Sequence, residues 1–437
     1  MQVQVPVQST DASLSGDEVF AHAGRNAKRW GIRPYPAVPQ RAFLAGGVVV
    51  HMPDCAPCRR VAKAPRDPMK IDAVDLTLFA WDDIPPTRYT QGTLNTSGRS
   101  NLALLRIRTD DGIDGHAFLG SATNPAETDA GALIRFLKPV LIGKDPLARE
   151  ELHAAMRARQ RHMGLRTVGA CDTALWDIAA KVAGMPLYRL LGGGRAEIGA
   201  YASSQILDGP SAYAAEALRF KADGWKAYKI HPPQRPDEDI RVCEAVRAAV
   251  GDDFTLMLDS TWSYRYPDAV RVGRAIERLG FLWFEDPLNE EDIYSYVKLR
   301  AQLSIPIMAT EYPAGDIGTY AVWLTERATD YLRGDIPIKG GLTTMLKTAH
   351  LAEAFHMSYE IHHGGNSFNN LAQLHLACAI RNTTYFEVLL PHGAHKYGLL
   401  NDIEIGRDGM ARCPQAPGIG AAIDFDLIKR KQLAQLA

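Results

Sequence analysis

The rhythm of apolar and polar positions changes twice along the chain. Residues 1–68 are rich in Pro, Gly and Arg and show little sustained periodicity, so they read as a leader, mobile or loosely attached. From Met69 the pattern becomes regular. IDAVDLTLF alternates as a strand, and 82–100 reads as a long loop rich in Pro, Thr, Gly and Ser. NLALLRIRT, the turn Asp110-Asp111-Gly112 and GIDGHAFLG then read as a hairpin. Helical patterns follow over 127–141, 148–161 and 169–183. Residues 69–192 are therefore expected to form an α+β capping domain.

After about Ile198 strands and helices alternate. Eight candidate strands end near Ser203, His231, Asp259, Glu285, Glu311, Asp335, His362 and Glu387, in steps of 28, 28, 26, 26, 24, 27 and 25. The intervals hold helical patterns at 211–222, 237–250, 267–279, 291–303, 317–329, 343–355 and 370–380. Parallel strands need crossovers of this length, and eight even repeats predict an α/β fold with a TIM-type (β/α)7β barrel over 193–397. No regular eighth helix follows. Residues 398–437 read as short strands and turns that return to the capping domain, which is then built from both N-terminal and C-terminal segments.

Composition narrows the function classes. The 437 residues are 46% hydrophobic and 23% charged, as in a soluble globular protein with a large core. A net charge of −1 gives no basic field for nucleic acid. The apolar run 42–50 is too short to span a bilayer, and the N-terminus lacks the pattern of a signal peptide. Of six cysteines, four stand singly in apparent elements, and Cys55-Ala56-Pro57-Cys58 is a lone pair without zinc-site or thioredoxin-like surroundings. The cytoplasm is the expected compartment.

The chemistry lies at the strand ends. TLMLD closes on Asp259, FLWFE on Glu285 and IPIMATE on Glu311. One such acid could simply cap the next helix. Three in register at the C-terminal ends of neighbouring strands make an oxygen site for a hard cation, Mg²⁺ before Ca²⁺ or Mn²⁺. Strand two ends Lys229-Ile230-His231, so alternation puts Lys229 and His231 on one face. Asp335, His362 and Glu387 come from strands six, seven and eight. A cation with a nearby ammonium can stabilise the charge left when a proton α to a carboxylate is removed, and a His backed by a carboxylate can serve as base or acid. The bland alternatives are hydrogen-bonded strand-end histidines and a solvated rim lysine.

From Met69 to about Asp426 the chain resembles the enolase superfamily, mandelate racemase subgroup. The resemblance rests on Asp172-Thr173-Ala174-Leu175-Trp176-Asp177, on Pro186-Leu187-Tyr188-Arg189-Leu190-Leu191-Gly192-Gly193, and on Asp259, Glu285-Asp286-Pro287 and Glu311. Asp335 with Gly340-Gly341, His362, Glu387 and Pro417-Gly418-Ile419-Gly420 complete it. It implies one Mg²⁺ per active site on Asp259, Glu285 and Glu311, a His362–Asp335 catalytic pair, and Glu387 hydrogen-bonded to the substrate carboxylate. Many relatives carry Lys-x-Lys on strand two, where the second lysine is a base; here His231 stands in that place. His231 could then act as base or acid on its own face, with Lys229 neutralising the carboxylate.

The expected activity is that of a lyase: dehydration of an acid sugar to a 2-keto-3-deoxy acid. Racemisation or epimerisation, and cycloisomerisation of a hydroxy-carboxylate, are the alternatives. Arg88, Tyr89, Thr90, Gln91, Asn95 and Thr96 in the polar 82–100 segment suit a polyhydroxylated ligand, with Arg88 and Tyr89 as substrate-binding candidates. The expected partner is a small-molecule carboxylate in a homo-oligomeric enzyme. A barrel metal hydrolase would want His-x-His on its first strand, which Tyr201-Ala202-Ser203-Ser204 does not supply.

Overall fold

The computed structural model describes residues 68–91, 96–311, 317–363 and 365–437. The leader expected over 1–68, all but its last residue, lies outside the described residues, as do Cys55, Cys58 and Asn95.

Three strands, β1 (Ile71–Thr87), β2 (Thr96–Thr109) and β3 (Asp114–Leu119), form an antiparallel sheet. The loop expected over 82–100 is mostly strand. Pairing continues through Ile84↔Gly98 to Thr87↔Thr96, which makes a long hairpin arm. Alternation failed as a guide there because the register shifts twice, between Trp81 and Ile84 and between Ile84 and Thr87. Each bulge inverts the period of two, while Trp81, Ile84 and Thr87 stay buried.

Eight parallel strands close the barrel: β4 (Glu197–Ser203), β5 (Ala227–Ile230), β6 (Thr255–Asp259), β7 (Phe284–Glu285), β8 (Ile307–Ala309), β9 (Tyr331–Gly334), β10 (Ser358–Ile361) and β11 (Phe386–Leu389). Pairing of β11 with β4 completes the ring. Helices cover the strands on the outside, so both strand faces are buried and the strands read as near-continuous apolar runs. Tyr201, Ala227, Met257, Trp283 and Met308 pack in a small cluster separate from the main core. Four of them lie two residues before Ser203, Lys229, Asp259 and Glu285, and so share the inward face with them. The apolar floor therefore aims the polar ring into the mouth.

The tail contributes β12 (Leu399–Asn401), β13 (Met410–Arg412), β14 (Ala422–Ile423) and β15 (Gln432–Leu436). Strand β15 adds to the edge of the first sheet, with Leu76 opposite Leu436. A helix, Phe425–Arg430, interrupts what read as strands and turns only; Asp424 caps it by accepting from Leu427 N at 2.8 Å.

The helix Leu165–Val182 joins cap to barrel and is buried throughout its middle. Asp172 and Trp176, one turn apart, both reach Thr343 on the barrel side: Asp172 accepts from its N–H at 2.8 Å and its hydroxyl at 2.6 Å, and Trp176 Nε1 donates to Oγ1 at 2.9 Å. Gly341 sits at φ 118 against Asp172, where a Cβ would meet Oδ2 at 2.4 Å. Asp177 accepts from Ile419 N at 2.9 Å and so ties down the Pro417–Gly420 segment. These motif residues hold the frame. Among the described residues no helix is long and apolar enough to cross a membrane.

Candidate active site

Lys229 is fully buried at the centre of the mouth. Its Nζ donates to Asp259 Oδ2 at 2.9 Å and to both oxygens of Glu285 at 3.0 Å, and lies 2.8 Å from Glu387 Oε1. A second buried cation, Arg333, comes from β9, two residues before Asp335 and on the same face. Its Nε lies 2.5 Å from Glu285 Oε1 and 3.5 Å from Glu311 Oε2, and its Nη2 donates to Glu387 Oε2. His363 N also donates to that Glu387 oxygen, at 3.1 Å. Burial opposes both cations, yet the surrounding carboxylates hold Lys229 and Arg333 charged. Burial also opposes Glu387, but Arg333 and Lys229 outweigh it and hold its carboxyl well below the usual range.

The acids outnumber these cations. Asp259, Glu285, Asp286, Glu311 and Glu387 are all buried. One oxygen each of Asp259, Glu285 and Asp286 lie within 4.8 Å of one another. Both carboxylate oxygens of Asp286 are buried with no hydrogen-bond partner among the described residues. Burial, with Glu290 and Glu311 nearby, pushes the Asp286 carboxyl well up, and burial pushes Glu285 up to about 8 against the pull of Arg333. Orphaned oxygens beside two further acids fit a hard cation that the residues would coordinate.

The backbone here is strained in one place after another. Thr261, Trp262, Asp286 and Thr310 have φ of 47°, 59°, 43° and 84°. Such values are unusual for residues with a Cβ, and for β-branched Thr310 especially so. The turn at Thr310 breaks the alternation of β8, and Glu311 faces Arg333 and His362.

On the dyad side, His362 Nδ1 lies 2.6 Å from Asp335 Oδ2. The other oxygen of Asp335 accepts from Ile338 N at 2.7 Å and caps the short helix Ile336–Lys339. Nε2 of His362 is 3.5 Å from Glu311 Oε1, and 18% of the His362 side chain is exposed. Burial works against a charged ring, but Glu311 and Asp335 outweigh it and raise His362 to about 9.

Two family models match the chain. One is the mandelate racemase / muconate lactonizing enzyme N-terminal domain, over residues 75–192; the other is the enolase C-terminal domain-like model, over 212–427. The chain belongs to this family. The D-galactarolactone cycloisomerase of Agrobacterium fabrum is 30% identical over 378 residues, 82% of this chain and 98% of that protein. The arabinonate dehydratase of Saccharolobus solfataricus is 29% identical over 340 residues, 74% of this chain and 88% of that protein. Among solved structures, D-glucarate dehydratase from Agrobacterium tumefaciens, complexed with magnesium, is 34% identical with a TM-score of 0.76, covering 84% of this chain and 100% of that one.

Against the family pattern, the structure brings together Asp259, Glu285, Glu311, Lys229, His231, Asp335, His362 and Glu387 at one end of the barrel. The hairpin arm delivers Tyr89 to the same end. Its hydroxyl donates to Leu390 O and lies 2.8 Å from His395 Nε2, and its ring meets the His231 ring edge-on with centroids 5.0 Å apart. Arg88 is exposed; its backbone binds the barrel, with its carbonyl accepting from Ile206 N at 2.8 Å.

Sequence reasoning missed Arg333, Asp286 and His395. A lone arginine two residues before Asp335 in the run YLRGD was a usable signal, since alternation sends both inward. Asp286 follows Glu285 directly, so alternation assigns it to the other face; the structure, with a positive φ there, brings its carboxylate beside Asp259 and Glu285.

Proposed function

We propose that this chain takes the proton α to the carboxylate of an acid sugar and expels the 3-hydroxyl, giving a 2-keto-3-deoxy acid. The observation that carries this reading is a His–carboxylate pair beside five buried acids, three of which are held by Lys229 and Arg333. Asp259, Glu285 and Asp286, whose oxygens gather within 4.8 Å of one another, would hold one Mg²⁺, with Glu311 as the further ligand that the family position implies. Bound there, the ion supplies positive charge to the substrate carboxylate and to the charge that develops on proton loss. His362, oriented by Asp335, takes the proton in its neutral form, which is favoured once the charge of Glu311 is committed to the ion. Lys229 and Arg333 keep the acids gathered, because a buried carboxylate without a counter-charge would protonate instead. The dehydratases among the relatives support the reaction class.

A second reading has its own observation. The relative at 30% identity is a cycloisomerase, and another cycloisomerase, from Streptomyces coelicolor, is 28% identical. Cycloisomerisation would use the same proton abstraction and break a ring C–O bond in place of releasing water.

Proton NMR in D₂O, with Mg²⁺ and a panel of acid sugars and their lactones, separates the two. A new 3-deoxy methylene signal from an open-chain sugar acid is the expected result. Conversion of lactones alone would move the assignment to cycloisomerase, and no change with any of them would sink both.

A further inference from the structure

We infer that His231 is a positioning residue for Asp259 and transfers no proton, so that proton transfer runs on one face only, through His362. This rests on the reading above and goes beyond it by assigning the face and excluding the second base.

A base must present a nitrogen lone pair to the substrate. His231 is covered where His362 is not: Tyr89 packs against its ring, and its side chain is 5% exposed against 18% for His362. Nε2 lies 3.1 Å from Asp259 Oδ2, and Nδ1 faces Ser203 Oγ at 3.5 Å; Ser203 is fully buried. Only 5% of the His231 side chain is exposed. Its backbone is fixed as well: the N–H donates to Ser204 Oγ at 3.0 Å, and the carbonyl accepts from Tyr213 Oη at 2.7 Å.

Tyr89 blocks another approach with its ring edge. The hairpin tip that carries Tyr89 is pinned to the barrel: Arg88 O accepts from Ile206 N at 2.8 Å, Gln91 N donates to Gln234 Oε1 at 2.6 Å, and Thr261 Oγ1 donates to Tyr89 O at 3.4 Å. An N–H donor on a metal-binding carboxylate fixes that carboxylate's orientation and raises the site's affinity. His231 is built for that role.

One imidazole suffices for dehydration. His362 Nε2 takes the C2 proton as the C2–H bond breaks. The C3–O bond then breaks, and the departing hydroxyl takes that proton from Nε2 and leaves as water. The resulting enol gives up its O–H proton and gains one at C3, which leaves a ketone beside a methylene. The net change is loss of one water. A 1,1-proton transfer needs a second group on the opposite face, which a committed His231 does not provide.

The test compares wild type with His231→Leu, His231→Gln and His362→Asn. Calorimetry of Mg²⁺ on the substrate-free proteins comes first. Leu should weaken binding about 10- to 100-fold, and Gln, whose amide N–H can still reach Asp259, should recover most of it. Proton NMR in D₂O then follows C2–H exchange in a pair of C2-epimeric acid sugars at saturating Mg²⁺. Wild type should exchange one epimer, His362→Asn neither, and His231→Gln the same one as wild type. Unchanged Mg²⁺ affinity in both His231 variants, with exchange abolished, would make His231 a base and overturn the inference. Exchange of both epimers by wild type would do the same. Wild type that binds no Mg²⁺ would sink the metal reading itself, whereas wild type that binds Mg²⁺ equally with either His231 variant sinks this inference alone. Circular dichroism of each variant confirms folding, and the Gln variant carries the test if Leu unfolds.

Discussion

Two histidines enter the barrel mouth from different sides, and the fold treats them oppositely. His231 is locked between Asp259 and Ser203 with 5% of its side chain exposed. His362 has Nδ1 anchored on Asp335 and Nε2 3.5 Å from Glu311 at the mouth, with 18% exposure. Both stand at a strand end in an inward position, so sequence pattern ranks them equally. What separates them is cover: the Tyr89 ring packs against His231, while the His362 side chain keeps more than three times the exposure.

Removing His362 should have the largest effect. His362→Asn keeps a polar group near Asp335 but has no basic nitrogen, so turnover should fall about 10²- to 10⁴-fold with little change in Mg²⁺ affinity. Steady-state kinetics checks the first and calorimetry the second. Turnover within a factor of a few of wild type would erase the contrast between the two histidines.

The buried pairing of Arg333 across the barrel predicts the next effect, on stability. Arg333→Met leaves Glu285 and Glu387 without the guanidinium that spans them, and breaking a buried pair costs about 3–5 kcal/mol. Urea denaturation measures it. Arg333→Met with Glu387→Gln removes charge on both sides and should recover part of the loss. Arg333→Lys should recover less than its charge suggests, because an ammonium lacks the planar fork that reaches two carboxylates.

These two residues also mark what could be read from the sequence. The barrel was legible because each strand ends one regular step after the last, and Asp259 and Glu285 were legible because each closes an apolar run. Periodicity reports the face a residue occupies. It does not report which partner a buried charge takes across the barrel, and Arg333 pairs with Glu285 and Glu387, 48 and 54 residues away by number. The hairpin arm was illegible for a different reason: its bulges break the alternation that would have announced it. The role of Glu387 carried over from the family rests on position alone, His231 departs from the relatives' lysine, and the contacts of both favour holding other residues in place.

A third histidine extends the comparison outside the mouth. His375 is fully buried, with Nδ1 accepting from Tyr188 N at 3.2 Å and Nε2 3.0 Å from Ile419 O. Burial holds it down at about 4, while an unfolded histidine titrates near 6.5. Between those values the unfolded chain binds the extra proton, so stability rises with pH across that window. The contribution is fully present above about 6.5 and is lost as pH falls toward 4. For this one ring the loss is on the order of 2–3 kcal/mol by pH 4. His116 and His395, held by burial at about 4 and about 3, act in the same direction. Urea midpoints at pH 7 and pH 4.5 should show the drop, and His375→Asn should shrink it. An equal drop in that variant would mean that His375 is not the neutral seam the geometry describes.

The smallest effect tests whether the hairpin tip holds the strand-two side closed. Tyr89→Phe removes one hydroxyl and keeps the ring against His231. It deletes the donor to Leu390 O and the partner of His395 Nε2, at a cost of about 1 kcal/mol. His395 Nδ1 is already buried without a partner among the described residues, so the variant leaves that ring with no hydrogen bond to them at either nitrogen. The backbone contacts of Arg88 and Gln91 remain, so the tip should stay seated but loosen. Mg²⁺ affinity should change less than threefold, since the ring still covers His231, while amide exchange at residues 88–91 should quicken by about fivefold, the kinetic equivalent of 1 kcal/mol. Unchanged exchange in the tip with weakened Mg²⁺ binding would reverse the order of cause, making the hydroxyl part of the metal-side network and the latch the job of the backbone alone.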